Sequence, residues 1–268
     1  MLRIFLFFVT FSMMLNAASI KGTVDYAGPK KSRKDLEMNS DPVCDSAHKN
    51  KPGKPLKEDF ILDENNNLKN VIVWIKNADF QGELSADAVT IDQIGCMYTP
   101  HVNVVTTGQK VLIKNSDKTL HNVNSKSKIN ESFNSAQPAG VPDIEKTFPS
   151  AEDPFYIKCD VHPWMKAWVM VTDHPYFAVT DGNGNFEINN VPPGEYELGF
   201  WHERLSNLPK KKFIQVDHTI TFSITESAVE SNGENEVREG VFTSNSSGNT
   251  GSNIVLDYTF PRPAKKPK

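Results

Sequence analysis

The chain has little of what builds a helical protein. Long stretches with apolar residues three and four apart are scarce, whereas short Val, Ile, Phe and Thr runs alternate with Pro- and Gly-containing turns. That pattern excludes a helix bundle and predicts an all-β fold. Net charge is also small, −4 over 268 residues, which leaves no electrostatic footprint for nucleic acid or a charged membrane surface. After the first apolar run there is no second one long enough to span a bilayer. There is no C-x-x-C-H run for covalent c-type haem, no nucleophilic serine motif and no phosphate loop. Cysteine is limited to three residues, Cys44, Cys96 and Cys159.

The one apolar run is at the start. Arg3 precedes Ile4 to Phe11, and Met13 to Ala18 ends in small residues, so residues 1–18 read as a secretory signal peptide cleaved after Ala17 or Ala18. No cysteine sits at that point to take a lipid. The mature chain is expected to be periplasmic or secreted, without stable membrane insertion. In an oxidising compartment an odd cysteine calls for a reason.

Two segments supply one. Cys159-Asp160-Val161-His162-Pro163-Trp164-Met165 has C-x₂-H-x₂-M spacing, and about forty residues earlier Leu120-His121-Asn122-Val123 reads as a strand. Together they offer one thiolate, two imidazoles and one thioether. That donor set is a compromise between Cu(I), which prefers sulfur, and Cu(II), which accepts imidazole. His121, Cys159, His162 and Met165 are therefore the candidate ligands of one type 1 copper ion. Asn122 is placed to hydrogen-bond the Cys159 loop and tie strand to loop. Methionine is a poor zinc ligand, which favours copper. If Cys159 is a metal thiolate, Cys44 and Cys96 remain as a disulfide pair. The rival reading gives both, with His48 and His101, to a structural zinc.

The segment Val111 to Val171 resembles the metal-binding half of a cupredoxin, with a ligand loop of the short amicyanin type. The resemblance implies a Greek-key β-sandwich, a mononuclear copper and single-electron transfer. His162 is the ligand expected nearest the surface, because its loop caps the sandwich, with Pro163 and Trp164 beside it as an apolar patch for redox partner proteins. Further along, Asp181-Gly182-Asn183-Gly184-Asn185-Phe186 and Asn190-Val191-Pro192-Pro193-Gly194-Glu195-Tyr196 resemble the carboxypeptidase regulatory, transthyretin-like β-sandwich, a non-catalytic module. The expected division is 19–173 for the copper domain with a polar insertion at Gly28 to Glu58, 174–224 for the small β unit, and 225–268 for a low-complexity, disordered tail in which Ile254 to Phe260 returns as a strand.

Finer expectations follow. Phe60-Ile61-Leu62 and Val71 to Ile75 flank turn residues and suggest a hairpin, Phe213 to Val216 a strand, and Ser125 to Asp153 a loop. His101, His174, His202 and His218 have no assigned role, and Trp201-His202-Glu203 is expected at the surface. No C-x₃-C run supports a dinuclear copper centre, and no His-x-His set supports a multicopper enzyme, so catalysis is not expected. Two alternatives to an electron carrier remain: copper storage or delivery, and a metal-free structural or binding module of the same fold.

Overall fold

The computed structural model describes residues 17–49, 53–207, 218–224, 241–243 and 253–266. The described elements begin with β1 (Ala18–Tyr26), α1 (Pro42–Lys49), β2 (Ile72–Ile75), β3 (Val89–Gln93), β4 (Tyr98–Thr99) and β5 (Val102–Thr106). Next come β6 (Lys110–Asn115), β7 (His121–Ser125), β8 (Asn134–Gln137), β9 (Ile144–Thr147), β10 (Glu152–Lys158) and β11 (Lys166–Thr172). They end with β12 (Phe177–Val179), β13 (Asn185–Val191), β14 (Gly194–Trp201), β15 (Thr219–Ile224), β16 (Val241–Thr243), β17 (Asn253–Val255) and β18 (Asp257–Phe260). The all-β expectation holds, with α1 the only helix among the described residues.

Two β-sandwiches result. In the first, a sheet of order β5-β11-β10-β7-β8 faces one of order β4-β3-β6-β9. Between them lies a core that includes Ile91, Val105, Val111, Ile113, Val123, Phe155, Ile157 and Val169. In the second, β13-β1-β18-β16, with β17 added on β1, faces β12-β2-β14-β15. Ile20, Val24, Val73, Leu198, Phe186 and Phe200 are among the residues that fill it. A third apolar cluster, with Ile72, Val102, Val104, Trp168, Met170 and Trp201, joins the two.

The strands do not follow the expected division at residue 173. β1 pairs antiparallel with β13 (Ile20 opposite Ile188) and parallel with β17 and β18. β2 lies between β12 and β14. The second sandwich is thus built from both ends of the chain, and residues 89–172 are set into it. Alternating burial along β1 satisfies either core, and only long-range pairing decides between them. Gly22 marks how close the ends come, since a Cβ there would land on the Leu256 carbonyl.

Other local expectations are amended. Residues 63–67 form the predicted turn, closed by Asp63 N to Asn67 O at 3.0 Å. Its flanks do not make a hairpin, because Leu62 only bridges Leu68 and β2 pairs elsewhere. The expected loop Ser125 to Asp153 contains β8 and β9. The expected leader, up to Asn16, the Phe213–Val216 strand and most of the polar tail lie outside the described residues.

Glu152 organises the connection after β7. Its carboxylate accepts from the backbone N–H of Lys128 (2.6 Å) and Asn130 (3.1 Å), the Ser127 hydroxyl (2.6 Å) and the Asn130 amide (2.9 Å). Burial pushes its pKa up, but these donors outweigh it and hold the group at about 2. Its contribution is therefore full above the ordinary value of 4.5 and lost as pH falls through about 2. Glu152→Gln should lower stability at neutral pH by about 1–3 kcal/mol and flatten the acid side of the stability profile. Urea denaturation at pH 7 and pH 3 checks this, and an unchanged slope would assign the acid sensitivity to another carboxylate.

Candidate metal centre

The register of β10 and β11 sets the site. Lys158 pairs with Lys166, so Cys159 to Met165 form the tip of this hairpin. The tip closes on itself through Met165 N to His162 O (2.9 Å) and Cys159 N to Met165 O (3.2 Å). Strand β7 lies on the other side of β10, with Lys158 opposite Asn124. That places His121, the first residue of β7, beside the tip.

His121, Cys159 and His162 converge, their donor atoms all within 4.8 Å of one another. The two Nδ1 atoms are 2.9 Å apart, and Cys159 Sγ is 3.7 Å from His162 Nδ1. All three residues are buried, at 0–1% exposure. Met165 is equally buried and packs in the same core cluster.

Asn122 ties strand to tip. Its Oδ1 accepts from Asp160 N at 2.6 Å and lies 3.3 Å from Cys159 Sγ. Its backbone N–H and that of His162 point at the sulfur from 3.5 and 3.4 Å. Tyr98 O–H donates to the Asn122 carbonyl at 2.6 Å.

Each imidazole is held from behind by a carboxylate. His121 Nε2 donates to Asp117 Oδ2 (2.9 Å) and His162 Nε2 to Asp41 Oδ2 (3.1 Å). Both Nδ1 atoms are thereby turned inward, the arrangement that fixes histidine ligands in metal sites. Asp117 also accepts from Gly95 N and Cys96 N, both at 2.7 Å. Gly95 and Cys96 are the central residues of the β3–β4 turn, and positive φ at both (63° and 56°) aims successive N–H groups at one carboxylate. Asp41 caps α1, accepting from Val43 N (2.7 Å) and Cys44 N (3.2 Å) on Oδ1. Thr119 Oγ1 donates to its other oxygen at 2.8 Å.

Electrostatics follow from these contacts. Burial opposes charge on His121, but Asp117 and the Cys159 sulfur raise its pKa to about 9. Burial also opposes the Cys159 thiolate; His121 and the backbone N–H groups outweigh it and lower the pKa. Burial pushes Asp41 up, but its hydrogen bonds hold it at about 2. Burial lowers His162. The donor set fits a thiophilic transition ion: a stabilised thiolate, two imidazoles with oriented lone pairs and a buried thioether residue on the same tip.

The expected surface position of His162 is corrected. α1 and its disulfide lie over the ring, with Cys44 Sγ 3.6 Å from Nε2. The polar insertion that carries them has no apolar period to reveal a covering role. Pro163 is exposed and Trp164 half-buried, its ring centroid 5.1 Å from that of His162.

Cys44 and Cys96 form a disulfide. The rival zinc set does not assemble, because His48 Nε2 bonds Gly95 O (2.7 Å) and His101 Nε2 bonds Glu203 (2.6 Å). Sequence reasoning missed Asp41 and Asp117. The Asp-x-x-x-His spacing before His121 was the available signal for one of them. It also placed His202 and Glu203 at the surface, whereas both are buried where the sandwiches meet. There Glu203 takes His101, Lys166 Nζ (2.7 Å) and the Trp168 indole N–H (2.7 Å).

No protein-family model matches the chain, and the search of curated proteins returned no match. Among solved structures, the chain is similar to a copper-containing nitrite reductase from Thermus scotoductus (21% identity, TM-score 0.31) over 37% of this chain and only 25% of the reductase. It is also similar to a purple cupredoxin from Nitrosopumilus maritimus (24% identity, TM-score 0.27), over 31% of this chain and 99% of that one. A third likeness is to amicyanin from Paracoccus versutus (25% identity, TM-score 0.29), over 33% and 85%.

Asn122→Ala should free the Asp160 turn and weaken metal binding about 10- to 100-fold. Competition against a chromophoric chelator measures this, and unchanged affinity would leave Asn122 a purely structural residue.

Proposed function

We propose that the chain is an exported mononuclear type 1 copper protein that carries single electrons. The observation that supports this most is the convergence of His121 Nδ1, Cys159 Sγ and His162 Nδ1, with each imidazole backed by a carboxylate. His121, Cys159, His162 and Met165 would hold the ion, through two imidazoles, a thiolate and a thioether. Copper bound there would cycle between its two oxidation states. The protein's part is to keep the donors still: Asp117 and Asp41 fix the rings, and the N–H groups of Asn122 and His162 hold the sulfur. Donors that do not move leave little to rearrange when charge changes. This is a carrier, not a catalyst. A redox partner would meet Pro163 and Trp164 rather than the His162 edge.

Export is supported by the basic and apolar start of the sequence and by the Cys44–Cys96 disulfide. No helix of the described residues is long and apolar enough to cross a membrane. The second sandwich is proposed as a non-catalytic structural module. One observation favours a second reading: the closure of α1 over His162, which hinders release of an ion, also suits copper storage.

Absorption spectroscopy with metal quantification tests the proposal. The copper-loaded protein should show an intense visible thiolate-to-copper band that Cys159→Ser abolishes; a band that survives the substitution refutes the ligand assignment. A reversible voltammetric couple supports the carrier, and ready copper loss to a chelator supports delivery. Asp41→Asn keeps a good helix cap but removes the negative charge behind His162. Its reduction potential should rise, because that charge favours the more highly charged oxidised ion; an unchanged potential would mean that Asp41 only caps α1.

A further inference from the structure

The four residues of the proposed copper site are buried, and an ion needs a way in. The outer edge of His162 is covered by Asp41 and Cys44 at the start of α1. Cys44 is joined there to Cys96, and both are fully buried. These residues form two further donor groups of their own. Asp41, Cys44 and His162 offer ligand atoms within 4.8 Å of one another, and so do Cys96, Asp117 and His121. A cleft of about 350 Å³ runs up to Cys44 and is lined by Met38 and His48, a thioether and an imidazole. His162 faces both ways, with Nδ1 toward Cys159 and Nε2 toward Cys44 Sγ.

Resting on the copper reading, we propose that Cys44 and Cys96, as a reduced thiol pair, form a loading site that takes Cu(I) and passes it to His121, Cys159 and His162. Soft thiolates suit Cu(I), and carboxylates and imidazoles stand within reach of each sulfur. The chemistry balances. A dithiol reductant gives two electrons and two protons to the S–S bond and becomes a disulfide itself. Binding of Cu(I) then releases the two thiol protons without electron transfer. A disulfide oxidant later takes two electrons from the two thiolates and two protons from solvent, becoming a dithiol itself, and the Cys44–Cys96 bond re-forms, which expels the ion inward and closes α1 over His162. The same bond that covers the finished site is thus the one that opens it.

The Cys159→Ser variant isolates the outer pair, because it lacks the inner thiolate. Reduced with a dithiol, desalted under nitrogen and titrated with Cu(I) against a chromophoric chelator, it should retain one equivalent. The same variant with its disulfide intact should retain none. In the wild-type apoprotein, Cu(I) uptake should be several-fold faster after reduction than before. Equal retention in the two redox states overturns the proposal, as does equal uptake. So does a disulfide that a thiol assay shows to resist the dithiol in the folded chain, which leaves Cys44–Cys96 a structural crosslink. A wild-type protein that takes up copper and shows no visible band once the bound ion is oxidised to Cu(II) sinks the electron-carrier reading instead, so the two failures are told apart.

Discussion

The proposed metal centre depends on two hydrogen bonds made by carboxylates behind the imidazoles. Asp117 and Asp41 each present one oxygen to a histidine Nε2–H and also accept from backbone N–H groups, with the Thr119 hydroxyl as a further donor to Asp41. Charge-assisted bonds of this kind are short and directional. They decide which nitrogen of each ring faces inward. Without them both rings could turn and the donors would not meet at one point. The disulfide matters because it joins the segments that carry these contacts. Cys44 sits on the helix that Asp41 caps, and Cys96 donates its N–H to Asp117. One covalent link therefore holds both backing carboxylates in register with a site built on other strands.

The nesting of one sandwich in the other supports the same rigidity. Because β1 and β18 pair at the two ends of the chain, residues 89–172 leave from and return to a closed unit. The seam is not only apolar. Trp168 packs on Trp201, with ring centroids 4.9 Å apart, and its indole N–H reaches Glu203. Lys166, the residue after Met165, reaches the same carboxylate. Glu203 is held at about 2: burial would raise it, but the hydrogen bonds and charges of His101 and Lys166 prevail. A buried anion so fully partnered fixes the geometry of what it touches, and here it touches the first residue of β11, which anchors the ligand tip.

What the sequence made legible was local. The C-x₂-H-x₂-M spacing lies within one hairpin tip, so its geometry follows from the spacing itself. His121 was legible because strand pattern and an adjacent Asn coincide. In the sequence, short apolar or alternating runs between turn residues coincide with β3, β5, β6, β10 and β11. What stayed hidden was long-range or polar. Nothing in β1 names its partner, since its alternation fits either sandwich. β8 and β9 are polar, lie mostly at the surface and carry no apolar period. Glu152 looks like any surface acid until the residues it gathers are folded around it. α1 arises from a Lys- and Pro-rich stretch, and its covering role comes from a capping Asp and one cysteine rather than from an amphipathic face.

In the proposed copper protein, closure over His162 would separate two kinds of traffic. An electron can cross a covered edge by tunnelling through contiguous atoms, and here there is a short path from the His162 ring to half-buried Trp164, whose indole N–H bonds the Cys96 carbonyl at 3.0 Å. An ion cannot pass that way, because it needs donors at every step and room to move. A lid of this kind therefore slows the metal far more than it slows the electron. It also keeps water from the thiolate, which limits ligand exchange and oxidation of the sulfur. For a carrier that must exchange electrons often and its ion rarely, burying the histidine edge works with the chemistry of the donor set rather than against it.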